Sequence, residues 1–313
     1  MAMSRAAALV EHEPRRLPRR HRAVQRIGLM LDAATGAAPT LFAAWLAALL
    51  LLLTQSPLLA LLSALGFGGA FVAGLVGVGG AVIMIPLLLY LPPLAGFTAF
   101  DMHVVAGISM VQVAAASTTG MLAHRQIGHV SAPLVAAVGG PLTLASFGGA
   151  LVSDLLPPQV LSALFAGLAA VAAVLMLRDG RSATVPALDA PVRFSRWRAV
   201  ALGTGVGLLV GMVGAGGGFL LVPLMMYGLG IPVREAVGSS LAIVTFGGLG
   251  GLVGKAASGQ VLWIYALSLV VGALPGARLG ATTSARISGA MLAKLLGVLL
   301  ALIAARMWWD LLR

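Results

Sequence analysis

Apolar residues fill one unusually long stretch near the start of the chain. Residues 33–100 contain no Asp, Glu, Lys or Arg. One helix needs about 20 residues to cross the hydrocarbon of a membrane, so this stretch is predicted to fold back at least once. Polar, glycine and proline residues at 55–57, 77–80 and 91–93 offer the breaks. We predict a full helix and a half-helix over 58–91, joined at the glycines.

The rest of the chain alternates long apolar segments with short polar ones. Segments of spanning length lie at 102–123, 130–153, 159–177, 199–227, 236–254, 261–279 and 287–305, and glycines interrupt the fourth. The pattern predicts an all-α integral membrane bundle of about eight or nine spans. It also indicates four regions: a basic tail (1–38), a first half (39–177, with a repeat core at 58–177), a linker (178–198) and a second half (199–313).

Composition narrows the class of protein. Hydrophobic residues make up 60% of the chain, charged residues 9%, and the mean hydropathy is +1.03. A soluble domain carries about 25% charged residues, because its surface must face water. This composition therefore excludes an ordinary soluble enzyme. Cysteine is absent, which excludes disulfides, thiolate metal sites and a cysteine nucleophile.

The net charge of +11 comes mainly from two clusters of arginine. Seven arginines lie in residues 1–32, and five lie between Arg178 and Arg198. Basic clusters that flank apolar segments mark cytoplasmic ends, so we expect the tail 1–32 and the segment 179–198 to face the cytoplasm. Nucleic acid is not an expected partner, because no aromatic residues interleave with the arginines.

An internal repeat links the two halves. Residues 74–90 (GLVGVGGAVIMIPLLLY) align without gaps to residues 211–227 (GMVGAGGGFLLVPLMMY), and eight of the seventeen positions are identical. After a shift in offset the match continues, pairing Ser109 with Ser240 and His124 with Lys255. Such self-similarity predicts two homologous halves, each with a glycine-broken helix.

The paired glycine breaks are the predicted substrate site. Glycine- and proline-interrupted segments at equivalent places in two halves point to a transporter's binding site. A half-helix that begins after the break would present its partly positive N-terminus to an anion. The alternative is that the glycines only let helices pack closely. The substrate-binding candidates are Gly77, Gly79, Gly80, Gly214, Gly216, Gly217 and Gly218.

Several motifs together resemble a known family. They are GVGG-x5-P at 77–86, GAGGG-x4-P at 214–223, VGSSLAIV at 237–244, KAASGQV at 255–261 and GALPGARLGA at 272–281. These resemble the TauE/SafE (sulfite exporter) family of membrane transporters over about residues 58–309. The first copy departs from the second, with Ala81 where the second has Gly218. The resemblance implies a multi-pass protein of the bacterial inner membrane that transports a small anion such as sulfite or a sulfonate.

Other polar residues within spans are further candidates. Arg278 lies between Gly276 and Gly280 and is predicted to contribute to anion binding, with an interfacial, snorkelling arginine as the alternative. Ser109 and Ser240 are predicted to line a polar cavity, although serine also bonds its own helix backbone. His103 is a candidate proton relay.

No catalytic set, metal-ligand cluster or phosphate loop is visible in the sequence, so we expect neither an enzyme nor a cofactor. We predict a secondary transporter, exporter or importer, coupled to a proton or sodium gradient or to none. A passive anion channel and a membrane enzyme acting on lipid are the rival hypotheses. The sequence leaves the anion, the direction of transport and the oligomeric state open, a homodimer included.

Overall fold

A computed structural model describes residues 56–76, 81–125, 131–178, 194–284 and 289–313, together with Trp45. The chain divides into two units, 1–48 and 49–313, and every helix described here belongs to the second. Within the described residues of that unit there are ten helices and no strand. They are α1 (Pro57–Val76), α2 (Ala81–Leu94), α3 (Met102–Arg125), α4 (Ala132–Ser153), α5 (Pro158–Arg178), α6 (Arg196–Val213), α7 (Gly218–Leu229), α8 (Val233–Ala257), α9 (Trp263–Ser284) and α10 (Gly289–Leu311).

The helix ends fall where the sequence places caps and breakers. Asp101 precedes α3 and its carboxylate accepts a hydrogen bond from the His103 amide at 3.3 Å, as an N-cap residue does. Pro158 opens α5, where the missing proline N–H costs nothing. Gly230 ends α7 with a positive φ of 69°, which glycine adopts without steric penalty. The predicted apolar segments thus became helices with nearly the predicted bounds.

In two of the parallel helix pairs, three glycines each bring the backbones of both helices into contact. Gly272, Gly276 and Gly280 of α9 lie against the backbone of Ser63, Phe67 and Phe71 of α1. Gly203, Gly207 and Gly211 of α6 lie in the same way against Val138, Leu142 and Ser146 of α4. In each pair the contacts advance by four residues on both helices, so the helices run in the same direction. A Cβ at any of these glycines would overlap the neighbouring backbone, and packing therefore explains these six glycines.

Hydrogen bonds fix which helix ends lie together. The start of α3, the end of α4, the end of α8 and the start of α9 are joined through His103, Ser153, Lys255 and Gln260. We call this the Lys255 end of the bundle. At the other end, the amide of Ser131 before α4 donates to the Ser239 hydroxyl in α8 at 3.0 Å. Therefore α3 and α8 run in opposite directions.

The helices suit a membrane. Within the described residues, five are long and apolar enough to cross one: 57–75, 132–153, 158–177, 238–257 and 263–280. Shorter apolar helices lie at 82–94, 102–118 and 218–229. The predicted all-α, multi-pass membrane architecture is confirmed. The glycines at 77–80 and most of the predicted linker lie outside the described residues.

Candidate functional site

The second glycine break separates α6 from α7 as the sequence predicts. Gly214, Gly216 and Gly217 have φ of 78°, 65° and 75°, so the backbone leaves the helical path for four residues. Side chains other than glycine rarely adopt such angles. All residues from Val213 to Leu220 are buried. An unwound segment thus lies inside the protein, where its polar backbone groups are shielded from lipid.

The break packs against helix α3 too closely for any side chain. A Cβ on Gly214 would overlap the backbone of Ala106, and a Cβ on Gly216 would overlap the side chain of Val113. A Cβ on Gly217 would lie 2.7 Å from the Val210 side chain of α6. Glycine is therefore required here for two independent reasons, backbone conformation and space.

The break leaves backbone donors free at the N-terminus of α7. Gly217 acts as the N-cap, because its carbonyl accepts from the amides of Leu220 and Leu221 at 3.0 and 2.9 Å. Among the described residues, no acceptor is found for the N–H groups of Gly216, Gly218 or Phe219. These donors are buried at the partly positive end of a twelve-residue helix. The arrangement is suited to an anion.

Helix α3 presents buried polar groups at the same level as the break. Ser109 lies one turn from both Ala106 and Val113, the two positions that contact the glycines. Its side chain is fully buried, and no partner for its hydroxyl is found within the described chain. Gln112, one turn further on, is also fully buried, and both of its amide atoms lack partners there. Ser109 is a candidate from sequence, whereas Gln112 is not, because its only signal there is an amide inside an apolar span.

Lys255 lies directly beside the end of α6 and is fully buried. Its ammonium donates to the Ser153 hydroxyl at 2.6 Å, to the Gln260 side-chain carbonyl at 2.7 Å and to the Met212 backbone carbonyl at 3.1 Å. Met212 is the second-last residue of α6 before the break. The last carbonyls of a helix lack partners within it, so the cation satisfies one of them and complements the helix dipole.

A polar network continues outward from Lys255. The Gln260 amide donates to the Asp154 carboxylate at 3.0 Å. On the other side, Nε2 of His103 lies 3.0 Å from the carbonyl of Ser153, and Nδ1 lies 3.3 Å from the carboxylate of Asp101. We call Lys255, Ser153, Gln260, Asp154, His103 and Asp101 the Lys255 network. Of these six residues, only His103 is a candidate from sequence, as a proton relay.

The remaining predicted site residues lie elsewhere. Ser240 is buried in α8, which contacts α3. Arg278 is exposed on α9, because Gly276 and Gly280 face α1 and a residue two positions from each points away. The structure does not bring Arg278 together with the break, and its role in binding stays a prediction. Gly77, Gly79 and Gly80 lie outside the described residues. No group of three or more His, Asp or Glu that could hold a metal occurs in the described ranges.

Comparison with known protein families shows to which family the chain belongs. The profile of the family "Sulfite exporter TauE/SafE" matches residues 62–307, which include every helix from α2 to α9 and both glycine motifs. The chain belongs to the TauE/SafE family. The resemblance carried by the glycine motifs is thereby confirmed.

Relatives within the family carry similarly general names. A "Probable membrane transporter protein" of Xylella fastidiosa is 38% identical over 229 residues, covering 70% of this chain and 83% of the relative. "Probable membrane transporter protein YdhB" of Bacillus subtilis is 28% identical over 215 residues, covering 67% and 84%. No solved structure matches the chain. Family and relatives together show a membrane transporter.

Proposed function

We propose that this TauE/SafE member is a secondary transporter for a small anion, such as sulfite, a sulfonate or a related organic anion. The observation that carries the proposal is the buried break at Gly214–Gly217, with free amide donors at the start of α7. A small oxyanion offers several acceptor oxygens in a compact shape, which several convergent N–H and O–H donors can satisfy at once.

Electrostatics favours an anion over a cation at this place. An anion at a helix N-terminus gains about 0.3–2 kcal/mol from the dipole, and most when partly buried. The hydroxyl of Ser109 and the amide NH₂ of Gln112 add neutral donors nearby, both buried and without partners within the described residues. A cation at the same place would meet the positive end of α7 and the ammonium of Lys255.

The packing of the helices supports two halves of inverted topology. The repeat pairs α1 with α6, α3 with α8 and α4 with α9. Replacing each helix by its counterpart in the other half turns the contact of α1 with α9 into the contact of α6 with α4. These two parallel contacts are therefore equivalent. The equivalent helices α3 and α8 run in opposite directions. Inverted repeats with broken helices are a common plan of secondary transporters, and they place substrate between the halves.

This plan implies a use for the first break as well. In the repeat, the glycines at 77–80 are the counterparts of Gly214–Gly217, as Ser240 is the counterpart of Ser109. We propose that both breaks contribute to one site between the halves. Transport of the anion would be driven by a proton or sodium gradient or by the concentration gradient of the anion itself. No enzymatic step is part of the proposal.

Transport by purified protein tests the proposed function. Proteoliposomes are loaded with buffer, and uptake of sulfite, sulfate, methanesulfonate and acetate is compared with uptake of choline. We expect saturable uptake of at least one anion and none of choline. Accumulation above the outside concentration under an imposed proton or sodium gradient identifies a coupled transporter, whereas simple equilibration identifies a passive channel. Equal uptake of choline and the anions would overturn the anion site.

A further inference from the structure

Lys255 differs from every other cation of the described structure in its surroundings. The chain contains only two lysines, Lys255 and Lys294, and all other basic side chains are arginine or histidine. Lys294 is exposed on α10, whereas Lys255 has no exposed surface. A buried ammonium is costly unless it is paired. Its position therefore needs an explanation beyond membrane anchoring.

The contacts of Lys255 satisfy its protons without neutralising its charge at close range. All three acceptors are neutral oxygens, and they come from α4, from α6 and from the segment before α9. No carboxylate forms an ion pair with it in the described residues. The charged or titratable groups nearest to it act through a neighbour: Asp154 through Gln260, and His103 with Asp101 through Ser153.

A buried hydroxyl group lies one helical turn from this cation, on the side away from the Lys255 end. Ser146 is fully buried in α4, two turns inward from Ser153, and within the described structure its hydroxyl has no hydrogen-bond partner. It lies against Gly251, one turn inward from Lys255 on α8, and beside Met110, the neighbour of Ser109. Ser146 thus lies one helical turn along α8 from Lys255, and its neighbour Met110 adjoins Ser109 in α3.

We propose that Lys255 and Ser146 form a second anion-binding site, which a small oxyanion occupies on its way between the glycine break and the Lys255 end. The inference rests on the proposed function, and it adds a place where the same anion binds. In the described state the ammonium is held by Met212, Ser153 and Gln260. When an anion arrives, the flexible lysine stem lets the ammonium exchange neutral acceptors for charged oxygens, which are the stronger partners.

This site also explains the choice of lysine in a chain rich in arginine. An ammonium has three donors that rotate about a single bond, and it can move between acceptors without changing its charge. The planar guanidinium of arginine would require a fixed fork of acceptors, which three oxygens from three separate segments do not offer. When the ammonium moves, it would also stop donating to the Met212 carbonyl. The last turn of α6, next to the break, would then lose this contact.

Neutralising the lysine tests the site. Lys255→Met keeps the length of the side chain and removes the charge, and Lys294→Met is the matched control on an exposed lysine. Each protein is purified, checked for monodispersity and reconstituted. Uptake is measured with sulfite or methanesulfonate, whichever the parent takes up faster. We expect the KM to rise about tenfold or more in Lys255→Met, since the variant loses a charge-assisted hydrogen bond to the anion. We expect the KM of Lys294→Met to stay within twofold of the parent.

The outcomes separate this inference from the proposed function. A purely structural lysine would lower the yield or the maximal rate at unchanged KM, and an unchanged KM in well-folded Lys255→Met overturns the second site while anion transport stands. If Lys255→Met does not fold, Lys255→Gln and Ser146→Ala replace it, and an unchanged KM in both has the same meaning. If the parent itself takes up no anion, the proposed function fails first.

Discussion

At the scale of single residues, three buried polar side chains stand out because the described structure does not satisfy them: Ser109, Gln112 and Ser146. A buried donor or acceptor without a partner costs about 1–3 kcal/mol. Many other buried hydroxyls bond their own helix; Thr245, for example, donates to the Leu241 carbonyl at 2.8 Å. These three side chains lie near the break and the Lys255 network, where a ligand would meet them, whereas the one other buried atom without a partner among the described residues, Oε2 of half-buried Glu235, lies at the start of α8.

The first prediction concerns Ser109. In Ser109→Ala we expect the KM for the transported anion to rise about tenfold, because one donor to a charged ligand is lost. The melting temperature should stay the same or rise, because the hydroxyl has no partner among the described residues. Uptake in proteoliposomes and thermal unfolding of the purified protein measure the two quantities.

Ser268→Ala is the matched control for this prediction. Ser268 is also a fully buried serine in a spanning helix, but its hydroxyl bonds the Ile264 carbonyl at 2.7 Å. Its removal should leave the KM unchanged. Equal behaviour of the two variants would show that Ser109 lies outside the site.

Residue by residue, the sequence did not predict which charged side chains are buried. Arg278 was chosen because a charge within an apolar segment is costly, yet α9 turns its glycine face toward α1 and Arg278 outward. Lys255 directly follows the apolar segment predicted at 236–254, and only the contacts of α4, α6 and Gln260 show that it is enclosed. Whether a terminal lysine snorkels or is buried depends on tertiary packing, which local sequence does not encode.

At the scale of elements, glycine serves two different purposes in this protein. In the contacts of α1 with α9 and α4 with α6, helical glycines allow backbones to approach. In the break at 214–217, glycines adopt positive φ and end a helix. The sequence distinguishes the break glycines from the packing glycines, because the break glycines are closely spaced, recur in both halves and precede a proline. The parallel pairing of α1 with α9 was not predicted, because it joins segments about two hundred residues apart.

The second prediction tests the break glycines. Gly216→Ala should destabilise the protein by about 1–2 kcal/mol, because alanine disfavours positive φ and its Cβ would overlap Val113. Adding Val113→Ala should recover part of the melting temperature by making space. Transport should stay impaired in the double variant, because the strained φ still disturbs the α7 N-terminus.

Gly205→Ala is the control, since Gly205 is exposed in the middle of α6 with open space around its Cα. This change should be neutral or stabilise by up to about 1 kcal/mol. Near-normal uptake by a well-folded Gly216→Leu/Gly217→Leu protein would contradict the break as the binding site.

The third prediction concerns a packing glycine. In Gly272→Ala the new methyl group would overlap the Ser63 carbonyl, so α1 and α9 must separate. We expect a lower melting temperature and lower yield, but an unchanged KM in the protein that folds. In the matching change Gly167→Ala, on α5 with nothing near the added methyl group, the KM and the yield should stay unchanged, and the melting temperature should stay the same or rise. A raised KM in Gly272→Ala would mean that packing glycines also shape the substrate site.

At the scale of the whole molecule, the fold was largely predictable because lipid allows so few architectures. A chain with 9% charged residues and long apolar segments must satisfy its backbone in helices. Where the helices meet was less predictable, since all their faces are apolar and periodicity gives no direction. The structure adds that direction: hydrogen bonds gather one set of helix ends at Lys255, and α6 runs toward that end from the arginine-rich linker.

The last prediction follows from this direction and from the charges. The linker 179–198 precedes α6, and its arginines predict a cytoplasmic location. Because α6 runs from there to Met212 beside Lys255, we expect the Lys255 end to face the outside of the cell. Leu155, 82% exposed and next to Asp154, lies at that end. The natural chain has no cysteine, so single cysteines report location directly. In intact cells an impermeant maleimide should label Leu155→Cys, and it should label Ser182→Cys and Ser4→Cys only after lysis. The reverse pattern would place the Lys255 network at the cytoplasmic mouth of the path, and the anion would then reach Lys255 before the glycine break during export.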